Sequence, residues 1–339
     1  MAHVNVRGMA FVEFSGPHPE RLRRVFARMG LRRLGGDPAR GLELFGQQEV
    51  RFLSNPGNGG NAERFRARHT RGASAMGFRV DDGGAAHALA LRLGAQPAEV
   101  TDYPIPAIRG VGESLIYLVD AEAERRLFGE LGWHGSASDP RLDGPLQRID
   151  HLTHNLETGG IERLRAFYQR VFGFEVLRTF DIAGRKTGLI SLVVASPDRS
   201  VIIPLNETKD EKSQIAEFLR DYNGEGIQHI ALLTHDILAT VDRLRERGIE
   251  FQDTLDTYYE ALAERLPGHG EDVAALRRRR VLIDGQREKG YLLQIFTKNS
   301  IGPIFFEYIQ RKGHDGFGEG NFQALFDSIE LDQERRGVI

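Results

Sequence analysis

Arg148-Ile149-Asp150-His151-Leu152 and Gly226-Ile227-Gln228-His229-Ile230 place a histidine at matching points of a repeated segment. Each run reads as a short strand, and each leads through a polar turn into an amphipathic helix closed near a glycine. After His151 the chain passes Gly159-Gly160 and enters residues 161–172, where Leu164, Phe167, Val171 and Phe172 follow helical spacing before a C-capping Gly173. After His229, Asp236 stands as N-cap, Ile237, Leu238, Val241 and Leu244 share a helical face, and Gly248 ends it.

Weaker copies precede these two. Residues 9–14 lead to a helical stretch at 19–29 with Gly30 behind it, and residues 73–78 lead to 85–93 with Gly94 behind it. In this alignment Phe11 stands where His151 stands and Ala75 where His229 stands, and neither can ligate a metal. The pattern predicts an α+β chain in which a strand, a helix and further strands recur four times. Residues 1–140 form a degenerate domain without a metal site, and residues 146–339 the functional domain. The polar, Gly- and Pro-rich stretch at 135–145 divides them. Within the fourth copy, residues 258–266 read as one short helix, Pro267-Gly268 as a turn, and Arg277-Arg278-Arg279-Arg280 as a solvated helix end facing the negative pole of the helix dipole.

Composition narrows the chemistry. A chain of 339 residues suits two cores better than one. Its 45 Lys and Arg against 48 Asp and Glu give a formal charge of -3, too balanced for a nucleic-acid or anionic-membrane partner. The absence of cysteine rules out disulfides, thiolate nucleophiles and sulfur-ligated metals, leaving His and carboxylates as the strong ligands. With no signal-peptide-like start and no apolar run of membrane length, the expectation is a soluble cytoplasmic protein.

The third ligand of interest is Glu307, in Ile304-Phe305-Phe306-Glu307-Tyr308-Ile309. Strict alternation puts Ile149 and Thr153 on the face of His151, Ile227 and Ala231 on that of His229, and Phe305 and Ile309 on that of Glu307. A carboxylate in such surroundings needs a cation, and a divalent metal supplies one. Two imidazoles and one carboxylate on one octahedral face, the rest left open, is the pattern of non-haem Fe(II) oxygenases. His154, three positions from His151, points to the opposite face and reads as structural.

On these residues a resemblance can be stated. Residues 148–155, 203–207, 221–231, 289–297 and 306–311, with Gly316-Phe317-Gly318-Glu319-Gly320-Asn321-Phe322, resemble the 4-hydroxyphenylpyruvate dioxygenase family of the vicinal-oxygen-chelate fold, specifically from about residue 148 onward and diffusely before it. The resemblance implies that the four copies are βαβββ modules paired into two open-barrel domains. It further implies that His151, His229 and Glu307 bind Fe(II), and that an aromatic 2-oxo acid and O2 are converted to homogentisate and CO2 in tyrosine catabolism. It implies that Phe305 and Phe322 sandwich the substrate ring, that Phe317 and Asn321 belong to a lid-like element with a gating C-terminal helix, and that Ser191, Asn206, Gln214, Gln294 and Phe296 line the pocket. Gln228 also matches a pocket position, although alternation turns it away from His229. A homodimer or homotetramer is implied as well. Hydroxymandelate synthase on the same substrate, a redox-neutral glyoxalase-like metalloenzyme and a non-catalytic binding module are the competing readings; Pro204, Asn206 and Phe322 look dioxygenase-like.

Overall fold

The computed structural model describes residues 2–57, 59–135, 138–183, 188–314, 316–318, 320–322, 330 and 333–337. The first module is β1 (Met9–Ser15), α1 (Pro19–Arg28), β2 (Arg32–Asp37), β3 (Leu42–Gln47) and β4 (Val50–Asn55). Helix α2 (Gly60–His69) leads to the second, β5 (Gly72–Arg79), α3 (Gly83–Arg92), β6 (Ala107–Arg109) and β7 (Leu115–Val119), and α4 (Ala121–Glu130) follows. The third is β8 (Leu146–Leu156), α5 (Gly160–Phe172), β9 (Glu175–Ala183), β10 (Gly188–Ala195) and β11 (Ile202–Thr208). Helix α6 (Gln214–Tyr222) precedes the fourth, β12 (Gly226–Thr234), α7 (Ile237–Glu246), the short α8 (Asp256–Glu260), α9 (Leu262–Arg265) and α10 (Val273–Arg279), then β13 (Leu282–Gln286), β14 (Gly290–Phe296) and β15 (Phe305–Lys312).

Two sheets result, ordered β2-β3-β4-β1-β5-β7-β6 and β13-β14-β15-β12-β8-β11-β10-β9. In each, the first strands of two modules pair antiparallel at the centre, and the remaining strands run outward on either side. The second module departs from the expected four strands: its missing member is an isolated bridge between Pro97 and Ile108. Pro97 has no N–H to extend a ladder.

Local signals explain the helices. Gly173 takes the left-handed conformation at φ 65° and closes α5, whose Leu164, Tyr168, Val171 and Phe172 are buried. Asp236 accepts the Ala239 N–H at 3.0 Å and starts α7. The single helix expected over 258–266 is instead two, α8 and α9, meeting at Ala261. The arginines ending α10 are paired: Arg277 and Arg280 reach Asp256, and Arg279 reaches Asp242 at 2.6 Å.

Strand β15 serves two cores. Phe306 faces the first half, its ring 6.2 Å from Phe14 and 6.0 Å from Phe52. Phe305, Glu307 and Ile309 face the concave side of their own sheet, so one strand both seals the two halves together and carries a site residue.

Candidate metal centre

His151, His229 and Glu307 converge, each offering a ligand atom within 4.8 Å of the others, and are the one such cluster among the described residues. Glu307 Oε2 lies 3.1 Å from His151 Nε2 and 3.5 Å from His229 Nε2. Three donors about 2.1 Å from one ion on an octahedral face are separated by roughly 3 Å, so the cluster needs little adjustment to grip a metal. The three residues are 4%, 8% and 1% exposed.

The register shows how two strands aim these rings. Across β8 and β12, His151 pairs with Ala231 and Ile149 with Leu232, so Asp150 is an extra, bulged residue; Ile227 pairs with His154 and His229 with Thr153, so Gln228 is another. A bulge breaks alternation just before each histidine. Ile149 and Ile227 therefore leave the site and join the large core, a correction to the faces that strict alternation assigned them. Gln228 is corrected too: it is not turned away from His229 but lines the cavity beside it. The bulged side chains do matching work. His151 Nδ1 donates to Asp150 Oδ1 at 3.0 Å and His229 Nδ1 donates to Gln228 Oε1 at 2.9 Å, so each ring turns its Nε2 toward Glu307. Thr153 donates its hydroxyl to His229 Nε2 at 2.9 Å.

Charge is balanced locally. Burial alone would raise the Glu307 carboxyl, but the two imidazoles outweigh it and hold it down to about 2. Burial alone would depress His151, yet Glu307 and Asp150 lift it to about 9, while burial keeps His229 low. Asp150, fully buried, stays ionised because Arg311 meets it with two bonds of 2.7 and 2.9 Å. Arg311 also donates to the carbonyls of His314 and Gly316, tying the glycine-rich turn to the site.

Beside the cluster lies a small cavity of about 50 Å³ lined by His151, Thr153, Leu189, Ser191, Pro204, Asn206, Gln214, Ile215, Gln228, His229, Phe296, Phe305, Glu307 and Phe322. Seven of the ten residues suggested for substrate binding are on this wall. The other three stand behind Glu307: Gln294 donates to Glu307 Oε1 at 2.7 Å and to the Phe317 carbonyl at 3.1 Å, and Asn321 donates to Gln294 Oε1 at 2.9 Å. The Phe305 ring stacks on His229 with centroids 4.8 Å apart, and Phe322 packs edge-on against Phe180 at 5.2 Å. The final helix expected after Gly320 falls mainly on residues 323–329 and 331–332, which lie outside the described residues. Wider clefts of about 630 and 450 Å³ lie between the halves, but among the described residues neither holds a metal-ligand set.

Sequence reasoning missed Asp150, Arg311 and Thr153 as partners of the histidines. The Asp-His dipeptide at 150–151 was the available signal; Arg311 had none, being 161 residues away from Asp150. His154 does face away, its Nε2 bonded to the Tyr168 hydroxyl at 3.0 Å.

The first half repeats this layout without the ligands. Bulges fall at Ala10 and Ser74, where the second half has Asp150 and Gln228. The register puts Phe11, Ala75 and Tyr117 at the positions of His151, His229 and Glu307. Phe11, Tyr103 and Tyr117 fill the space with rings 5.3 to 6.1 Å apart. Glu13, the counterpart of Thr153, is buried there and accepts from Ser74, Asn55 and Tyr103.

Paired modules around a His-His-Glu cluster define a metalloenzyme of the glyoxalase and dioxygenase class, and residues 148–266 match the Glyoxalase/Bleomycin resistance protein/Dioxygenase superfamily. Residues 2–131 match the family described as hydroxyphenylpyruvate dioxygenase, N-terminal. A 4-hydroxyphenylpyruvate dioxygenase of Legionella pneumophila (strain Corby) is 46% identical over 98% of this chain and 96% of its own. Another from Pseudomonas aeruginosa is 45% identical over 99% and 97%. A triple mutant of 4-hydroxymandelate synthase from Streptomyces coelicolor superposes with a TM-score of 0.80 at 25% identity, covering 97% of this chain and 99% of that one. The chain belongs to the 4-hydroxyphenylpyruvate dioxygenase family.

Proposed function

We propose that the protein is an Fe(II)-dependent 4-hydroxyphenylpyruvate dioxygenase, converting 4-hydroxyphenylpyruvate and O2 to homogentisate and CO2 in tyrosine catabolism. The convergence of His151, His229 and Glu307 at the wall of a largely apolar cavity carries this reading. The residues present suit the ion: two imidazoles whose Nδ1 protons are held by Asp150 and Gln228, leaving Nε2 for a metal to take in place of a proton, and one carboxylate. Bound iron would supply Lewis-acidic positions for a 2-oxo acid and the one-electron chemistry that activates O2.

The chain's own residues then perform the remaining tasks. Phe305 and Phe322 present ring faces and edges to an aromatic substrate, worth about 0.5–1.5 kcal/mol beyond area burial. Ser191, Asn206, Gln214 and Gln228 offer hydrogen-bonding groups along the same wall to the polar ends of the substrate. Gln294, Asn321 and Phe317 hold the Glu307 carboxylate from behind. Burial of the whole cluster excludes bulk water from the reacting centre.

The fold-level likeness to 4-hydroxymandelate synthase keeps a second product in view, since both products start from one substrate. Relatives at 45–46% identity over nearly the whole chain favour homogentisate. Incubation with Fe(II), O2 and 4-hydroxyphenylpyruvate, with the aromatic product identified by mass and chromatography, decides it. Homogentisate with one CO2 released per O2 consumed is expected; 4-hydroxymandelate would overturn the reading.

A further inference from the structure

Tyr258 belongs to α8, in the insertion between α7 and β13, and does not line the cavity. Its hydroxyl is nonetheless the hub of a polar cluster. It accepts the Ile283 N–H at 2.8 Å and an Arg265 Nη2 N–H at 2.7 Å, and lies 2.7 Å from Asn321 Oδ1 and 2.8 Å from the Ile283 carbonyl. A phenol has one proton and two acceptor sites. Both acceptor sites are filled by Ile283 and Arg265, and the Ile283 carbonyl already receives Arg265 Nη2 at 2.7 Å. Asn321 Oδ1 and the Ile283 carbonyl are both within reach of the single phenol proton; Asn321 Oδ1 is the nearer, and the carbonyl already has a donor in Arg265, so the proton is assigned to Asn321 Oδ1.

That choice orients everything downstream. With Oδ1 of Asn321 occupied by the phenol, its Nδ2 donates to Gln294 Oε1, and Gln294 must then turn Nε2 toward Glu307 Oε1. The chain Arg265, Tyr258, Asn321, Gln294, Glu307 runs donor to acceptor at every link, from a cation to the carboxylate of the metal cluster. Chains of this kind polarise their members in one direction. The same corner fixes the backbone that carries Asn321: Gly320 N–H donates to Asp284 Oδ2 at 2.8 Å, and Asp284 lies 3.7 Å from Arg265. Gly318, at φ +73°, has no room for a side chain, since a Cβ there would stand 2.0 Å from Gln294 Oε1.

We infer that Tyr258 is a positioning residue, which fastens Asn321 and its described neighbours and, through the directional chain Tyr258, Asn321, Gln294, sets the orientation of the Glu307 carboxylate. The inference rests on the assignment of Glu307 as a metal ligand under the proposed function. It makes seating of the C-terminal segment and readiness of the metal site one event.

Co(II) titration of metal-stripped protein, followed by its visible absorption, reads the effect without substrate. Tyr258→Phe keeps the ring beneath Arg265 and removes only the hydroxyl. A rise of about tenfold in the Co(II) Kd is expected, at the low end for loss of an outer-sphere partner, together with faster hydrogen exchange at Gly320 to Phe322. Asn321→Ala should raise the Kd similarly, and the double variant should add nothing further. A Kd within twofold of wild type in well-folded Tyr258→Phe, or additive effects in the double variant, would overturn the inference. Should Tyr258→Phe misfold, Arg265→Met at its half-open position is read by the same titration: a smaller rise supports the chain, and an unchanged Kd refutes it. Failure of the dioxygenase reading would appear in the wild-type product assay, whereas failure of this inference appears only in the Co(II) affinities of the variants.

Discussion

Replacing Arg311 by methionine is the most searching perturbation of the site's foundations. The Asp150 side chain is 1% exposed and would lose both guanidinium bonds, keeping only the imidazole of His151 as a partner. Removing one member of a buried ion pair costs about 3–5 kcal/mol. Arg311 is 16% exposed, so water can reach part of the vacancy and the lower half of that range applies. Two carbonyls, those of His314 and Gly316, lose a donor as well, at about 0.5–1.5 kcal/mol each. The sum is a loss of about 4–7 kcal/mol, measurable by urea unfolding of the metal-free protein with an unchanged m-value. The control is Asp150→Asn in the same chain: with no charge left to strand, the double variant should recover about 2 kcal/mol relative to Arg311→Met. A loss below about 1 kcal/mol, or strictly additive effects, would refute the argument that this pair holds His151 in place.

Three further outcomes follow from buried groups elsewhere. Burial holds the His154 imidazole down to about 3, so the unfolded chain takes up a proton near pH 6.5 that the fold refuses; the contribution of His154 should fall by about 2 kcal/mol between pH 7 and 5, read as the difference in urea stability between wild type and His154→Phe, and a difference that does not change with pH there would contradict it. Asp102 has the opposite sign: burial, aided by the Glu13 charge, raises its carboxyl to about 7, so its contribution is whole below pH 4 and lost as pH rises through 7. Asp102→Asn should therefore stabilise the protein by about 2–4 kcal/mol at pH 8 and change little at pH 4, which paired melts at the two values would check. Gly318→Ala puts a methyl against Gln294 Oε1 and should cost about 1–3 kcal/mol in strain and misalign Glu307; a variant with wild-type stability and metal affinity would show that the turn yields instead.

The sequence disclosed those features that repeat or cap. Matching histidines revealed the paired modules, and Gly173 and Asp236 marked helix ends where the backbone needs a left-handed residue or a side-chain acceptor. What alternation could not disclose were the bulges at Asp150 and Gln228, because an extra residue changes the phase of a strand without changing its composition. Those bulges place the hydrogen-bond partner of each histidine next to it in the chain. Arg311 and Tyr258 were invisible for another reason: their roles depend on contacts across 161 and 63 residues that only the closed sheet creates. The strand missing from the second module was foreshadowed by Pro97, whose meaning is clear once its bridge to Ile108 is seen.

Iron itself can be asked where it sits. Crystals of the protein soaked anaerobically in Fe(II) and measured on both sides of the iron absorption edge should give one strong anomalous peak, about 2.0–2.2 Å from His151 Nε2, His229 Nε2 and Glu307 Oε2. A peak in another part of the molecule, with these three side chains bare, would contradict the account.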